Sequence, residues 1–182
     1  IRRTAFVGLS IGSMIGQVLA LKHPEMLRCL VLCEASSRTP PEMKPVWDER
    51  VRIAHAQGMA AHVEPTIERW FTPAFREGNP LVVNPVRDMI RSTPPKGYEG
   101  CIRAIQGLNL LDRIEAIRVP TLIVVGEEDP ASPVASSQAI HERIRGSELV
   151  ILQAAAHLSN VEQAEAFNRA VTAFLGRFGA GS

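Results

Sequence analysis

Three side chains of this sequence could together activate a hydroxyl group for attack on a carbonyl carbon: Ser10, Asp129 and His157. A serine hydroxyl is a weak nucleophile until a base takes its proton, and an imidazole can take that proton and later return it to the leaving group. A carboxylate beside the imidazole holds the required tautomer and stabilises the charged ring. These residue types therefore fit nucleophilic catalysis, with His157 as the base and Asp129 as the acid that orients it.

Ser10 lies in the stretch GLSIGS, residues 8–13, which contains the pattern G-x-S-x-G. An apolar run over 4–7 precedes it and a helical pattern over 11–22 follows it, which is the strand–turn–helix context of a nucleophile elbow. So tight a turn needs residues without bulk two positions before and after the serine, and Gly8 and Gly12 supply them. The backbone N–H of Ile11 would then be free at a helix N-terminus to bind an oxyanion. The alternative is a glycine-containing turn that merely packs tightly.

The elements around these residues alternate between strand and helix. Strands are predicted over 4–7, 29–33, 121–125 and 148–152, and helices over 11–22, over about 134–144 and from 161 to the end of the last apolar stripe. The runs 29–33 and 121–125 are continuously apolar, as is typical of strands buried on both faces. The alternation predicts an α/β fold with a mostly parallel sheet. Each of the three candidate catalytic residues follows a strand, at the edge where such sheets build their sites.

Residues 38–108 differ from the rest, because no strong strand pattern follows the Ser-, Thr- and Pro-rich loop at 36–45. Four short helical stripes, separated by prolines, fill this region. We therefore predict a helical cap inserted at 38–108 between two core segments, 1–37 and 109–182. The Gly-Ala-Gly-Ser sequence at 179–182 is predicted to be a loose tail.

Other residues compete for two of the catalytic roles. Glu34, Glu127 and Glu128 are rival acids, and Asp129 could instead be a loop or N-cap carboxylate. Asp129 is favoured because it lies farther past its strand and precedes a helix with a proline beside it. His157 could be a loop histidine packed under apolar neighbours, but its position after the last strand, behind a serine elbow, favours the catalytic role.

The composition excludes several classes of partner. The chain has 182 residues, 46% of them hydrophobic, and a formal net charge of +1 without a basic block, so nucleic acid is not an expected partner. The longest apolar runs are strand-sized, so no membrane span is expected. Cys29 and Cys33 share a strand too far apart for a bridge, which favours buried thiols and a reducing cytoplasm. His55 and His62 lack a nearby third ligand, so no metal is predicted.

Five stretches of the chain resemble the 3-oxoadipate enol-lactonases of the α/β-hydrolase superfamily: GLSIGS, ERWFTPAFR, TPPKGYEGCIRAI, RVPTLIVVGEEDPASP and AAHLSNVEQAEAF. The resemblance runs from the elbow to about Leu175. The triad motifs alone specify only the superfamily, whereas the cap stretches around Trp70 and Tyr98, with HLSNVEQ, favour the lactonase. One departure is Gln163-Ala164, since the family tends to have proline after the glutamine.

The resemblance implies that Ser10 opens 3-oxoadipate enol-lactone, a step of aromatic catabolism, without a cofactor or metal. Because this small-molecule lactone carries a carboxylate, a cation in the cap is expected. Arg69 and Arg103 are the candidates, each of which could equally be a solvated helix residue, and Trp70 could line the pocket or pack within the cap. Rival activities are those of a carboxylesterase, a carbon–carbon bond hydrolase or a perhydrolase on the same fold. A non-catalytic binding module is the rival from another class, and the oligomeric state is not predicted.

The position of the elbow, at residue 10, raises a question about the start of the chain. Members of the resembled family carry several strands before the elbow, with a loop that gives a second oxyanion N–H. We therefore expect N-terminal strands to be missing here and the N-terminal half of the hydrolase domain to be a partner. Without it, the strand over 4–7 would present an uncovered apolar edge.

Overall fold

A computed structural model describes residues 2–178 and contains one parallel sheet. The strands are β1 (Thr4–Leu9), β2 (Leu27–Cys33), β3 (Thr121–Gly126) and β4 (Glu148–Leu152). Neighbouring strands pair in parallel in the order β1-β2-β3-β4. The predicted parallel α/β architecture is thus confirmed, with β1 and β2 each two residues longer than the sequence pattern indicated.

Nine α-helices occur in the described part of the chain: α1 (Ile11–Lys22), α2 (Lys44–Gln57), α3 (Val63–Trp70), α4 (Pro73–Gly78), α5 (Pro80–Ser92), α6 (Pro95–Gln106), α7 (Val134–Arg143), α8 (Ser159–Glu162) and α9 (Ala164–Phe178). Short 3₁₀ turns precede some of them. No helix in residues 2–178 has the length and apolar character needed to cross a bilayer. The predicted tail at 179–182 lies outside the described residues.

Two helical predictions are corrected by the structure. Four helical stripes are predicted over 38–108, whereas five helices, α2–α6, lie there. The additional helix is α4, which begins at Pro73 because proline is tolerated in a first turn and the Thr72 hydroxyl caps that turn by accepting from the Phe75 N–H at 3.3 Å. The last helical pattern is interrupted at Gln163, whose side chain donates to the Ala154 carbonyl at 3.0 Å. A local tertiary contact therefore divides one predicted helix into α8 and α9.

The chain divides into two compact units. The first runs to Arg38 and resumes at Asn109, and the second is Thr39–Leu108. The second unit is wholly helical, with α2 packed on α6 and α3 packed on α5. In this unit the buried His62 Nε2 donates a hydrogen bond to the Arg50 carbonyl at 2.9 Å. This bond connects the turn before α3 to α2.

The sheet of the first unit is covered by helices on both faces. Alternate residues of β2 point to opposite sides: Cys29, Val31 and Cys33 join the cluster that includes Phe174 of α9. Leu30 lies on the other face, where its side chain closely approaches Gly16 of α1. This burial on both faces explains why β2 and β3 read as unbroken apolar runs. Cys29 and Cys33 are buried free thiols, as predicted.

Among the described strands, the one that leads into Ser10 lies at one edge of the sheet, and β4 lies at the other. β1 pairs with β2 from Thr4 to Leu9, and the Val7 side chain is 47% exposed. β2 and β3 lie between the two edges, and every residue of β3 is buried. The carboxyl ends of β1, β3 and β4 therefore bring their following loops to one edge of the sheet.

Candidate active site

Ser10 is held in a strained backbone conformation between β1 and α1. Its φ is 54° and its ψ is −116°, a left-handed region that a non-glycine residue rarely adopts. The Ser10 N–H donates to the Cys33 carbonyl at 2.9 Å, and the Ser10 carbonyl accepts from the Ser13 hydroxyl at 2.6 Å. These contacts fix the strained turn from both sides, as expected where a side chain must be presented in one direction.

The two glycines that flank the serine are not equivalent in the structure. A Cβ on the buried Gly8 would lie 2.3 Å from the Gly12 carbonyl oxygen, so a larger residue cannot fit there. A Cβ on Gly12 itself would meet nothing within 4 Å. The sequence argument for a residue without bulk thus applies to Gly8, while the requirement at Gly12 is not seen in the described residues.

Ser10, His157 and Asp129 form a continuous chain of hydrogen bonds. The His157 Nδ1 atom lies 2.8 Å from Asp129 Oδ2, and its Nε2 atom lies 2.9 Å from the Ser10 hydroxyl oxygen. Since a carboxylate only accepts, Nδ1 carries the proton and Nε2 is left to accept from the Ser10 hydroxyl. The His157 side chain is 4% exposed and that of Asp129 is fully buried. This arrangement can transfer the Ser10 proton to His157 as a bond forms to the serine oxygen.

The Asp129 carboxylate is oriented by its own turn. Its Oδ1 atom accepts from the backbone N–H groups of Ala131 at 2.8 Å and Ser132 at 3.1 Å, which leaves Oδ2 for His157. Asp129 does not cap α7, whose first turn begins at Val134. The rival acids Glu127 and Glu128 are both exposed. Among the acids that follow β3, Asp129 is therefore the one directed at His157.

The loop that carries His157 approaches the end of β3 closely. A Cβ on Gly126 would lie 2.3 Å from the Ala156 carbonyl oxygen, so only glycine permits this contact. The Glu162 side chain accepts from the Ala156 N–H at 2.6 Å and so closes the loop from the α8 side. Sequence reasoning missed both residues. The signal for Gly126 was a glycine that ends an otherwise apolar strand next to a candidate site.

A second carboxyl group, that of Glu34, lies buried one residue beyond β2. Its side chain accepts a hydrogen bond from the Ser159 hydroxyl, two residues after His157. Burial raises the pKa of Glu34 to about 8, the Ser159 hydrogen bond acts against this rise, and the charge of Asp129 adds to it. Sequence reasoning considered Glu34 only as a rival acid, and its pairing with Ser159 could not be predicted because no motif in the sequence marks Ser159 as a partner.

The Ile11 N–H, predicted to bind an oxyanion, belongs to the first residue of α1. The first N–H groups of a helix have no acceptor within it, and they lie at the positive end of the helix dipole. Ile11 directly follows Ser10, so its N–H is available near the nucleophile to stabilise negative charge on a carbonyl oxygen.

The predicted substrate-binding residues all belong to the second unit, Arg69 and Trp70 at the end of α3 and Arg103 on α6. Arg103 is exposed and forms ion pairs with Asp48 and Glu99. Arg69 is half-buried and donates to the Thr66 hydroxyl at 3.1 Å. Burial lowers the pKa of Arg69, and the positive charge of Arg50 lowers it further.

The two candidate cations, Arg69 and Arg103, therefore differ in their electrostatic surroundings. Neither Arg69 nor Arg50 forms an ion pair with a described carboxylate, and the Arg50 guanidinium stacks over the Trp47 ring at 4.4 Å. Two guanidinium groups that lie close together without a carboxylate partner favour binding of an anion.

In residues 2–178, no three His, Cys, Asp or Glu side chains are grouped so that they could hold a metal ion.

The chain matches the sequence model of the α/β-hydrolase fold family over residues 1–164. A curated relative, 3-oxoadipate enol-lactonase 2 of Acinetobacter baylyi, is 32% identical over 178 residues, which are 98% of this chain and 66% of the relative. The chain thus spans just under two thirds of that relative's length. The resemblance to enol-lactonases is confirmed by this similarity.

Two solved structures are also similar to the chain. The enol-lactonase from Burkholderia xenovorans superposes with a TM-score of 0.92 at 34% identity, over 97% of this chain and 66% of that one. A thermophilic esterase from Thermogutta terrifontis superposes with a TM-score of 0.91 at 27% identity, over 98% of this chain and 66% of that one. One fold therefore accommodates this chain, an enol-lactonase and an esterase.

Proposed function

Because this chain belongs to the α/β-hydrolase family, we propose that it provides the catalytic triad of a serine hydrolase that opens 3-oxoadipate enol-lactone to 3-oxoadipate. The observation that carries the proposal is the hydrogen-bond chain from Ser10 through His157 to Asp129, at 2.9 and 2.8 Å. The 32%-identical enol-lactonase supports the choice of substrate. Such a reaction is a step in the breakdown of aromatic compounds.

The proposed reaction proceeds in two halves. The Ser10 oxygen attacks the lactone carbonyl while its proton passes to His157 Nε2, and the bond to the ring oxygen breaks to release an enolate. The enolate takes up the proton held by His157 and becomes a ketone, which returns His157 to its neutral form. His157 then takes a proton from water, which attacks the acyl group on Ser10 and releases 3-oxoadipate. The Ile11 N–H stabilises the carbonyl oxygen in both halves.

An enolate leaves readily, so positioning and oxyanion stabilisation contribute more to this reaction than protonation of the leaving group. The strained turn at Ser10 and the hydrogen-bonded Asp129 turn provide that positioning within this chain. A second oxyanion donor is assigned by the family resemblance to a loop that precedes the elbow. We therefore propose that N-terminal strands of the hydrolase domain complete the site by supplying this donor.

Arg69 is the cation that we propose for the substrate carboxylate, in preference to Arg103. Arg103 is already neutralised by Asp48 and Glu99, whereas Arg69 donates to a neutral hydroxyl and lies near a second guanidinium, that of Arg50. A guanidinium without a carboxylate partner has donors free for a bidentate contact with a substrate carboxylate. Trp70 remains a proposed pocket residue.

A carboxylesterase activity is the second candidate, and the similarity to the Thermogutta terrifontis esterase favours it. The same triad would attack a simple ester with the same steps. The two activities can be distinguished by comparing turnover rates on two substrates. An enol-lactonase prefers the enol-lactone to an aryl ester of similar size, and a carboxylesterase does not. The preference should also depend on Arg69 if a substrate carboxylate is recognised there.

The test of the proposed function is covalent labelling with a fluorophosphonate probe, read by intact mass. The chain is labelled alone and as a fusion in which the N-terminal strands of an enol-lactonase precede it. We expect one adduct, mapped to Ser10, and none on Ser10→Ala. Ser92→Ala, which removes an exposed hydroxyl on α5, controls for nonspecific reaction with serine. The absence of an adduct in both forms would contradict the proposal and favour a non-catalytic binding module.

A further inference from the structure

Glu34 is a fully buried carboxyl that the proposed reaction does not use. Its Oε1 atom accepts from the Ser159 hydroxyl, while its Oε2 atom has no hydrogen-bond partner. No lysine, arginine or histidine among residues 2–178 forms an ion pair with it. An ionised carboxylate in such surroundings is costly, so a proton on Oε2 is the favoured state.

The groups that face Glu34 come from three parts of the fold. Asp129, after β3, contributes a negative charge, Ser159 at the start of α8 contributes a hydroxyl donor, and Cys33 of β2 contributes a buried thiol. Burial and the nearby Glu34 carboxyl both raise the pKa of the Cys33 thiol, so that thiol stays neutral. Two neighbouring carboxyls do not both ionise readily, and Asp129 accepts two backbone N–H bonds, whereas Glu34 Oε2 has no partner.

Glu34 also lies at a junction of the backbone that supports the site. It adopts a left-handed φ of 49°, and its N–H donates to the Val124 carbonyl at 2.9 Å. The residue before it, Cys33, accepts from the Ser10 N–H. The backbone at 33–34 therefore contacts the serine turn and β3, while the Glu34 side chain reaches the segment that carries His157.

We propose that Glu34 is a positioning residue of the triad: as a neutral acid it anchors the His157 segment through Ser159 and leaves Asp129 as the carboxylate that orients His157. This inference rests on the proposed function, because Ser10, His157 and Asp129 act as a catalytic triad only under that proposal. The strained backbone at Glu34 is explained by the same role, since that conformation directs the carboxyl towards Ser159.

The first test follows the His157 ring proton by NMR as the pH is varied, with assignment from His157→Gln. We expect the chemical shift of this proton to change with an inflection near pH 8 in the native chain, from ionisation of the neighbouring Glu34 carboxyl. The inflection should be absent in Glu34→Gln and retained in Glu128→Gln, which changes an exposed glutamate of the adjacent loop. Its absence from the native chain, or its persistence in Glu34→Gln, would overturn the proposal. This readout does not require hydrolytic activity.

The second test separates anchoring from charge through the rate of fluorophosphonate labelling at pH 7. We expect Ser159→Ala and Glu34→Ala to lower the rate about tenfold, and Glu34→Gln, which can still accept from Ser159, to stay within about threefold of the native rate. Equal losses for Glu34→Gln and Glu34→Ala would overturn the neutral-acid role. If Ser10 is not labelled in any variant, the proposed function fails, whereas the NMR titration still decides the role of Glu34.

Discussion

At the scale of single residues, His157 is the residue on which the candidate site depends most. Its two ring nitrogens are committed to different partners, Asp129 on one side and Ser10 on the other. The tautomer that serves as a base follows from the carboxylate, because a group that only accepts requires a protonated Nδ1. In the proposed mechanism, Asp129 therefore controls the reactivity of Ser10 through His157, without a hydrogen bond of its own to the serine.

Asp129→Asn tests that control. An asparagine amide can donate to Nδ1 and favour the wrong tautomer, so we expect the labelling rate of Ser10 to fall by about 10³-fold or more. Glu128→Gln, one residue earlier and exposed, should leave the rate within about twofold. A fall of less than about tenfold in Asp129→Asn would contradict the assignment and indicate that another acid, such as Glu34, orients His157.

Arg69 and Arg103 provide a matched pair for the proposed substrate carboxylate. We expect Arg69→Gln to raise the KM for a carboxylate-bearing ester about 10- to 100-fold and to leave the KM for a neutral ester nearly unchanged. Arg103→Gln removes an equal charge from an exposed helix face that already pairs with carboxylates, and should change neither. Steady-state kinetics on both substrates would settle the choice, and equal effects of the two variants would refute a specific role for Arg69.

At the scale of elements, the ends of two strands can approach the site closely because each has a glycine as its last or last but one residue. Gly8 permits β1 to turn against the start of α1, and Gly126 permits the His157 loop to cross the end of β3. In each case an added Cβ would lie 2.3 Å from a backbone oxygen, and a backbone atom cannot move aside as a flexible side chain can. These glycines therefore determine the distance between the catalytic loops.

Gly8→Ala and Gly12→Ala test this requirement within one turn. We expect Gly8→Ala to reduce the free energy of unfolding by about 1–3 kcal/mol or more, because a backbone clash must be relieved by displacing the turn. Gly12→Ala lies in a helix with open space around it and should be neutral or stabilising by about 0.5–1 kcal/mol. Urea unfolding monitored by circular dichroism measures both, and similar losses in the two variants would contradict the packing argument.

At the scale of the whole molecule, Glu34 links stability to pH. Its pKa in the folded protein is about 8, above the ordinary value of 4.5, so the folded state binds more protons than the unfolded state between those pH values. Stability therefore falls as pH rises through this window, and the contribution of the neutral acid is complete only below pH 4.5.

Glu34→Gln removes this linkage. We expect the variant to gain stability relative to the native chain as pH rises from 5 to 8, by an amount on the order of a few kcal/mol at the upper end. The comparison is between free energies of unfolding from urea titrations at several pH values, with Glu128→Gln as the exposed control. A difference that does not change with pH would show that Glu34 ionises normally in the folded protein.

The sequence alone was sufficient to predict the parallel α/β architecture and to identify Ser10, Asp129 and His157 as a candidate triad. Both predictions rely on local signals: continuous apolar runs form buried strands, and a small-residue turn between strand and helix marks Ser10. Parallel strands place their carboxyl ends at one edge, so residues 147 positions apart could be expected to meet there. The choice of Asp129 over the other acids that follow β3 likewise came from its position past the strand.

Only the tertiary structure decided the contacts that depend on three-dimensional packing. The Glu34–Ser159 pair, the approach of Ala156 to Gly126 and the division of the last helix at Gln163 each involve groups brought together by the fold. Burial raised the pKa of Glu34, and ion pairing distinguished Arg103 from Arg69. Local sequence patterns carry periodicity and turn chemistry, whereas desolvation and the pairing of charges are properties of the folded arrangement.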